Sequence, residues 1–259
     1  MRKHFEIRRA AEDHARHFEG WLRTRLRSNA TLRAFRARFS AAAGREARDD
    51  QQLRLLLAFL LVEDSNCVDV GGHRGGVLEQ MVRLAPRGRH IVYEPLPAFC
   101  EDLRRRFPDV DVREAALSDR SGERTFMYVR NQPGLSGFRR RSYLTTPTIE
   151  EITVRTERLD DSLPGDYDPT VIKIDVEGAE REVLEGAIET ILRYKPTVVF
   201  EHGKGAAPHY ATGPRDVYAL LCERAGLRIF DLDGQGPFDL AEFERIFNRG
   251  DRWNFVAHP

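Results

Sequence analysis

From residue 50 onward, short apolar segments of strand length alternate with amphipathic segments of helical length. The expected strands are four or five residues long and rich in β-branched residues, at residues 66–70, 90–93, 110–113, 171–174, 197–200, 227–230 and 254–257. Helices are expected between them at residues 77–84, 98–107, 179–193 and 215–225. This alternation predicts an α/β fold with a doubly wound, mostly parallel sheet. Ligands bind such sheets at the carboxyl ends of the strands, so the residues that follow each strand matter most.

Length and composition favour one folded domain with an appended cap. The chain has 259 residues, 41% of them hydrophobic and 32% charged, which disfavours disordered and fibrous classes. Its longest apolar run, residues 55–62, falls far short of the ~20 residues of a membrane helix, and no secretory signal is visible at the start. Cys67, Cys100 and Cys222 lack the spacing of a disulfide framework or a zinc site. We therefore expect a cytoplasmic protein that has no membrane partner.

The first 50 residues predict a basic helical cap. Residues 1–48 carry thirteen basic and five acidic side chains, a net charge of +8, and the remainder carries −8. Apolar residues recur here near helical spacing; they are Phe18, Trp21, Leu22, Leu26, Leu32, Phe35 and Phe39. We expect this cap to dock on the acidic remainder of the chain, a catalytic domain at residues 51–259. The alternative is a footprint for nucleic acid, which we hold to be the weaker interpretation.

Residues 123–160 interrupt the alternation with two strand-like stretches around a polar segment. Long connections of this kind are often functional. The segment is either an insertion over the active face or a plain surface hairpin.

A glycine-rich turn follows the first expected strand, with the sequence DVGGHRGG from Asp69. Glycine lets the backbone turn sharply and approach a ligand closely. A dinucleotide fingerprint would need glycine where His73 stands, which weighs against a nicotinamide-dependent reductase. Asp69 would repel phosphate and suits an ammonium group. S-adenosylmethionine carries an ammonium group and no phosphate, so we expect Asp69, Gly71, Gly72, His73 and Gly75 to bind that cofactor.

The next two strand ends extend this expected cofactor site. Glu94 lies 23 residues after Gly71, where an acid on the neighbouring strand can bind both ribose hydroxyls. Leu96 follows where an apolar side chain could cover the adenine. Small and polar residues after the third strand would reach the base edge; those singled out are Ala116, Ser118 and Asp119.

Several of these segments resemble a known family. The stretches CVDVGGHRGG, YEPLP, EAALSD, RTERLDDSLP, IKIDVEGAEREVLEGA and KPTVVFEHG are similar to signatures of the FkbM-type S-adenosylmethionine-dependent methyltransferases, over about residues 60–202. The resemblance implies the seven-stranded, Rossmann-like class I fold and methyl transfer, generally to a hydroxyl of a natural product or sugar. The family usually has Ala-Asn where this chain has Gly72-His73.

Proton removal from a hydroxyl acceptor is expected at the ends of the fourth and fifth strands. Asp175 follows one apolar run, and Glu201 and His202 follow the next. His202 could act as a general base oriented by Asp175 or Glu201. The alternative is that these three residues hold Mg²⁺, which prefers oxygen ligands. Glu177 and Glu180 are equally well explained as acids that stabilise a solvated helix N-terminus.

Overall fold

A computed structural model describes residues 30–143 and 145–259, and side chains from residue 42 onward. The residues predicted to form the apolar stripe of the cap therefore lie outside the described side chains. The chain divides into two compact units, Met1–Arg48 and Asp49–Pro259. Helix α1 spans Ala30–Leu60, and the described backbone of the first unit is helical throughout.

Seven strands form the large sheet of the second unit. They are β1 (Asn66–Val70), β2 (His90–Tyr93), β3 (Asp111–Arg113), β7 (Pro169–Ile174), β8 (Thr197–Glu201), β9 (Arg228–Asp231) and β10 (Asn254–His258). Their order is β3-β2-β1-β7-β8-β10-β9. Every pair is parallel except those made by β10, which is antiparallel to both neighbours. The predicted doubly wound, mostly parallel sheet is confirmed.

Three strands form a second, smaller sheet; they are β4 (Ala116–Leu117), β5 (Gly122–Val129) and β6 (Ile149–Glu157). β5 and β6 are the two strand-like stretches predicted around residues 123–160, and they pair antiparallel. The loop between them contains a 3₁₀ turn at Pro133–Leu135. This loop reaches the end of β7, because the Arg141 Nη1 donates to Glu177 Oε2 at 2.6 Å.

The remaining helices connect the strands. They are α2 (Gly76–Leu84), α3 (Pro97–Arg106), α4 (Leu159–Ser162), α5 (Glu180–Gly186), α6 (Ile188–Tyr194), α7 (Pro214–Tyr218) and α8 (Leu240–Arg249), with a 3₁₀ turn at Ala207–Tyr210 and a wide π turn at Ala219–Arg224. No helix in the described part of the chain combines the length and the apolar composition needed to cross a bilayer.

Where the sequence predicts one helix over residues 179–193, the structure has two, α5 and α6. The break lies at Gly186, where a Cβ would stand 2.0 Å from the Ser118 carbonyl oxygen. Asp160 then caps the second helix, since its carboxylate accepts from the Glu189 and Thr190 amides at 3.2 and 2.8 Å. This cap comes from α4, about 30 residues earlier in the chain, so local sequence could not reveal the break.

Register places three strand ends side by side. Val70 pairs with Tyr93 of β2 on one side and with Ile174 of β7 on the other. The residues that follow these three strands, Gly71, Glu94 and Asp175, therefore emerge together at the carboxyl edge of the sheet. This edge is the switch point between the two halves of the strand order, where doubly wound sheets bind ligands.

Both faces of the sheet are covered, which explains why its strands read as continuous apolar runs. One face packs on α5, α6 and α8 through a cluster that includes Val70, Ile174 and Phe200. The C-terminal half of α1 covers part of the other face, where Leu57 is buried with Cys67, Met81 and Val171. Burial of Leu57 fixes the position of this half of α1 beside the carboxyl edge.

Candidate active site

The glycine turn after β1 is pressed against the neighbouring strand ends. The Gly71 and Gly72 amides both donate to the Tyr93 carbonyl, at 2.9 and 3.2 Å. Gly71 has φ +82°, and a Cβ there would lie 1.9 Å from the Asp175 carbonyl oxygen. Only glycine fits this position without movement of β7. The turn thus keeps its backbone in close contact with the ends of β2 and β7.

Glu94 links the glycine turn to the loop after β2. Its carboxylate accepts from the His73 amide at 2.8 Å and from the Leu96 amide at 2.9 Å. The residue is only 4% exposed, and burial raises the pKa of the carboxyl to about 7 although both amides favour the ionised form. Glu94, which the sequence predicts to bind the ribose, therefore also holds the glycine turn after β1 and the loop after β2 in shape.

Asp69 and Asp175 share one buried lysine. Lys173 Nζ lies 3.5 Å from Asp69 Oδ1 and 3.3 Å from Asp175 Oδ2, and it donates to the Gly71 carbonyl at 3.4 Å. Burial raises the pKa of Asp69 against the opposing effect of Lys173, and the two carboxylates keep the pKa of Lys173 above its ordinary value despite burial. With all three groups ionised, the cluster carries one excess negative charge.

A cavity of about 280 Å³ opens at this cluster. One wall is α1, which contributes Asp50, Leu53, Arg54 and Leu57; the facing wall includes Asp69, Gly71, Gly72, His73, Lys173 and Asp175. His73 lies against the Phe99 ring, with centroids 4.4 Å apart. Its pKa is lowered by burial and by the Arg74 charge, so its imidazole is neutral at pH 7. The cavity therefore brings together the predicted residues at the ends of β1 and β7.

The residues predicted to surround the adenine are divided between two environments. Leu96 and Ala116 are buried in an apolar cluster with Phe126 and Phe138 of the smaller sheet and its loop. Ser118 instead faces α5, where its hydroxyl lies within hydrogen-bond distance of Asp119, Glu182 and Arg124. Hydrogen bonding to Arg120 lowers the pKa of Asp119. Gly75 ends the glycine turn with φ +74°, packed against Leu103 and Phe107.

A carboxyl–guanidinium pair lies beyond Asp175. Glu177 has φ +58° and binds Arg141, a side chain that is only 7% exposed. Burial raises the pKa of Glu177 to about 7, with Arg141 acting in the opposite direction. The Phe138 amide of the same loop donates to the Tyr210 hydroxyl at 2.8 Å. The loop between β5 and β6 thus contacts both the end of β7 and the turn that follows β8.

His202 occupies the core. Its side chain is 0% exposed, its Nδ1 lies 3.5 Å from Glu180 Oε2, and its ring stacks on Phe247 with centroids 5.1 Å apart. The group that faces its ring is therefore Glu180, where the sequence predicted Asp175 or Glu201. Asp175 keeps its carboxylate at the cavity, 39% exposed. Glu201 is half-buried as the last residue of β8.

The residues predicted as metal ligands do not fit that role in the described structure. His202 is enclosed by Glu180 and aromatic rings, and Asp175 is paired with Lys173. Within residues 42–143 and 145–259, no group of three or more His, Cys, Asp and Glu side chains could hold a metal ion.

This arrangement has a counterpart among known families. Residues 69–229 match the Methyltransferase FkbM domain, a range that begins at Asp69 and includes both paired carboxylates of the cavity. The chain belongs to the FkbM family of methyltransferases. Helix α1 and the first unit precede the range that matches the family.

Individual relatives of this FkbM-family chain are distant. It is 29% identical over 157 residues to the 2-O-methyltransferase NoeI of Sinorhizobium fredii (strain NBRC 101917 / NGR234), which covers 54% of this chain and 64% of NoeI. The chain thus spans less than two thirds of that relative. Methyltransferase FkbM from Methylobacillus flagellatus KT has a TM-score of 0.48 and 16% identity, over 77% of this chain and 44% of that one. A TehB-like SAM-dependent methyltransferase from Corynebacterium glutamicum ATCC 13032 Kitasato has a TM-score of 0.43 and 13% identity, over 80% and 84%.

Sequence reasoning missed four side chains that shape the site. Lys173 lies between two isoleucines inside a strand, and this placement is the signal that could have found it, because a buried charge needs a partner. Glu180 is predicted at a solvated helix start, yet it is buried. Arg141 and Arg54 lie outside every motif, in an irregular loop and in the segment before the first strand. Only the tertiary structure brings them to the carboxyl edge.

Proposed function

We propose that this FkbM-family methyltransferase transfers the methyl group of S-adenosylmethionine to a hydroxyl of a small molecule, a natural product or sugar. The observation that carries the proposal is the cavity at the switch point. A glycine turn forms its floor with no room for a Cβ, and the Asp69, Lys173 and Asp175 cluster carries one excess negative charge there when all three groups are ionised.

The residues present suit this cofactor. Its amino-acid end carries an ammonium group beside a sulfonium, and both cations are stabilised near carboxylates. Glu94 stands at the end of β2, where its carboxylate can accept from ribose hydroxyls. When bound, the cofactor supplies a methyl group that is activated by the positive sulfur. Leu96, Ala116, Ser118 and Asp119 remain the proposed residues of the adenine side.

We assign proton removal to Glu177. Glu177 follows Asp175 by two residues after the end of β7, and burial raises its pKa to about 7, which suits a carboxylate that accepts a hydroxyl proton near neutral pH. Arg141 holds one of its oxygens in place. With the cofactor bound, Glu177 would accept the hydroxyl proton, and the cofactor would supply the methyl group to the acceptor oxygen and leave with the electron pair on its sulfur. Asp175 then serves the cofactor side of the site.

Two measurements test the proposal. Calorimetry with S-adenosylmethionine, S-adenosylhomocysteine and NADH should give binding for the first two only. Methyl-labelled S-adenosylmethionine, incubated with a panel of sugars and other hydroxylated small molecules, should then yield a labelled ether. Glu177→Gln should lower turnover by about 10²–10⁴-fold with unchanged S-adenosylhomocysteine affinity. Binding of NADH alone would instead support a reductase, and label on nitrogen or carbon would contradict O-methylation.

A further inference from the structure

The two walls of the cavity differ in charge. The wall formed by the ends of β1 and β7 carries Asp69 and Asp175 around Lys173. On the α1 wall, Asp50 and Arg54 both line the cavity, so this wall carries one acidic and one basic group. Helix α1 lies before residues 69–229, so nothing in the family match assigns it a role.

Three other basic side chains line this cavity or its rim, and each is already engaged or uncharged. Lys173 is held by two carboxylates and the Gly71 carbonyl. His73 is neutral at pH 7 because burial and Arg74 lower its pKa. The Arg74 guanidinium lies over the Phe99 ring, 5.7 Å from its centroid.

Arg54 differs from these three. Among the side chains that the structure describes, from residue 42 to 143 and from 145 to 259, none forms a hydrogen bond or ion pair with its guanidinium. The backbone of α1 is nevertheless fixed here, because Leu57, three residues later, is buried against the sheet, so the base of the Arg54 side chain stays at the cavity. Arg54 thus brings to the cavity a positive charge that is unpaired among the described side chains, and two carboxylates line the same cavity.

An amino-acid zwitterion is complementary to these two walls. Its ammonium group suits the acidic wall, and its carboxylate needs a cation on the opposite side. We propose that Arg54 binds the α-carboxylate at the amino-acid end of the cofactor. A guanidinium can bind a carboxylate through two parallel hydrogen bonds, which also fixes its orientation. The assignment rests on the proposed function, since it presumes that S-adenosylmethionine binds in this cavity.

The test compares two ligands that differ only in the carboxylate. Calorimetry measures S-adenosylhomocysteine and its decarboxylated analogue, S-adenosyl-3-thiopropylamine, against the wild-type chain and the variants Arg54→Met, Arg54→Lys and Arg74→Met. Arg54→Met should weaken S-adenosylhomocysteine binding by about 10-fold, as for one charged hydrogen bond, and leave the analogue unchanged. Arg54→Lys should recover part of the loss. Arg74→Met is the matched control from the same cavity.

The outcomes separate the two proposals. If the wild-type chain binds neither ligand, the proposed function fails, and this assignment with it. If S-adenosylhomocysteine binds and Arg54→Met weakens both ligands equally, or neither, the assignment is overturned while the function stands. A selective loss in Arg74→Met alone would overturn it as well and transfer the role to Arg74. Because Arg54 is exposed, equal thermal unfolding of all variants is expected and serves as the folding check.

Discussion

His202 and Glu180 face each other in the core, with Nδ1 3.5 Å from Oε2 and neither side chain more than 2% exposed. The pair joins the end of β8 to the first turn of α5. An imidazole enclosed in this way contributes to the packing of the fold.

We expect His202→Ala to lower the free energy of unfolding by about 2–4 kcal/mol, because it leaves a cavity and removes the group facing a buried carboxylate. Urea denaturation measures this loss. His209→Ala is the control, since that imidazole is exposed on a nearby turn, and it should change stability by less than about 0.5 kcal/mol. A His202→Ala protein with wild-type stability and no turnover would restore the general-base role predicted from the sequence.

Stability should depend on the ionisation of Glu94. Folding raises the pKa of this carboxyl from 4.5 to about 7. Between these two pH values the carboxyl is ionised in the unfolded state and protonated in the folded state, so rising pH stabilises the unfolded state relative to the folded one. Relative to Glu94→Gln, the wild-type chain should lose about 3 kcal/mol as pH rises from 4.5 to above 7, with no further change beyond. Denaturation of both proteins across this range measures the difference. If the difference in free energy of unfolding between wild type and Glu94→Gln stays constant with pH, the raised pKa of Glu94 is contradicted. Glu114→Gln is the control, because Glu114 is exposed and its replacement should not change how stability depends on pH.

Two glycines of the same turn should respond in opposite ways to alanine. Gly71→Ala places a Cβ 1.9 Å from the Asp175 carbonyl at φ +82°, and we expect a loss of about 2–5 kcal/mol from strain and overpacking. Gly76 begins α2 with no atom within 4 Å of the place that a Cβ would take, so Gly76→Ala should be neutral or stabilising by up to about 1 kcal/mol. Thermal unfolding distinguishes the two, and equal effects would show that the close approach at Gly71 is not required.

Asp160 should stabilise α6 from outside the helix. Its carboxylate accepts from two amides and from the Thr190 hydroxyl in the first turn, so Asp160→Ala should cost about 0.5–2 kcal/mol. The neighbouring Asp161 is exposed and pairs with Arg158 at the surface, and Asp161→Ala should cost less than about 1 kcal/mol. Hydrogen exchange of the Glu189 and Thr190 amides should accelerate in Asp160→Ala only; unchanged exchange would contradict the cap.

Local patterns are sufficient to predict the strands and the glycine turn. The seven predicted strands match the observed ones within two residues at either end, because buried strands between two helical layers must be short, apolar and β-branched. The adjacency of Gly71, Glu94 and Asp175 also follows from strand order alone. Local sequence cannot show whether a polar side chain points into solvent or into the core. From the sequence, Glu180 is therefore expected in solvent and His202 at the active face, whereas both are buried in the structure.

The antiparallel strand β10 has a consequence for how the sheet is assembled. Residues 254–258 are the last strand along the chain, yet they lie between β8 and β9. During synthesis β8 therefore keeps an unpaired edge, and β9 has no neighbour, until those residues emerge. Pairing of such distant segments is slow, and an open edge invites association with other chains. Removal of residues 254–258 would accordingly detach β9 from the sheet and convert β8 into a site of aggregation.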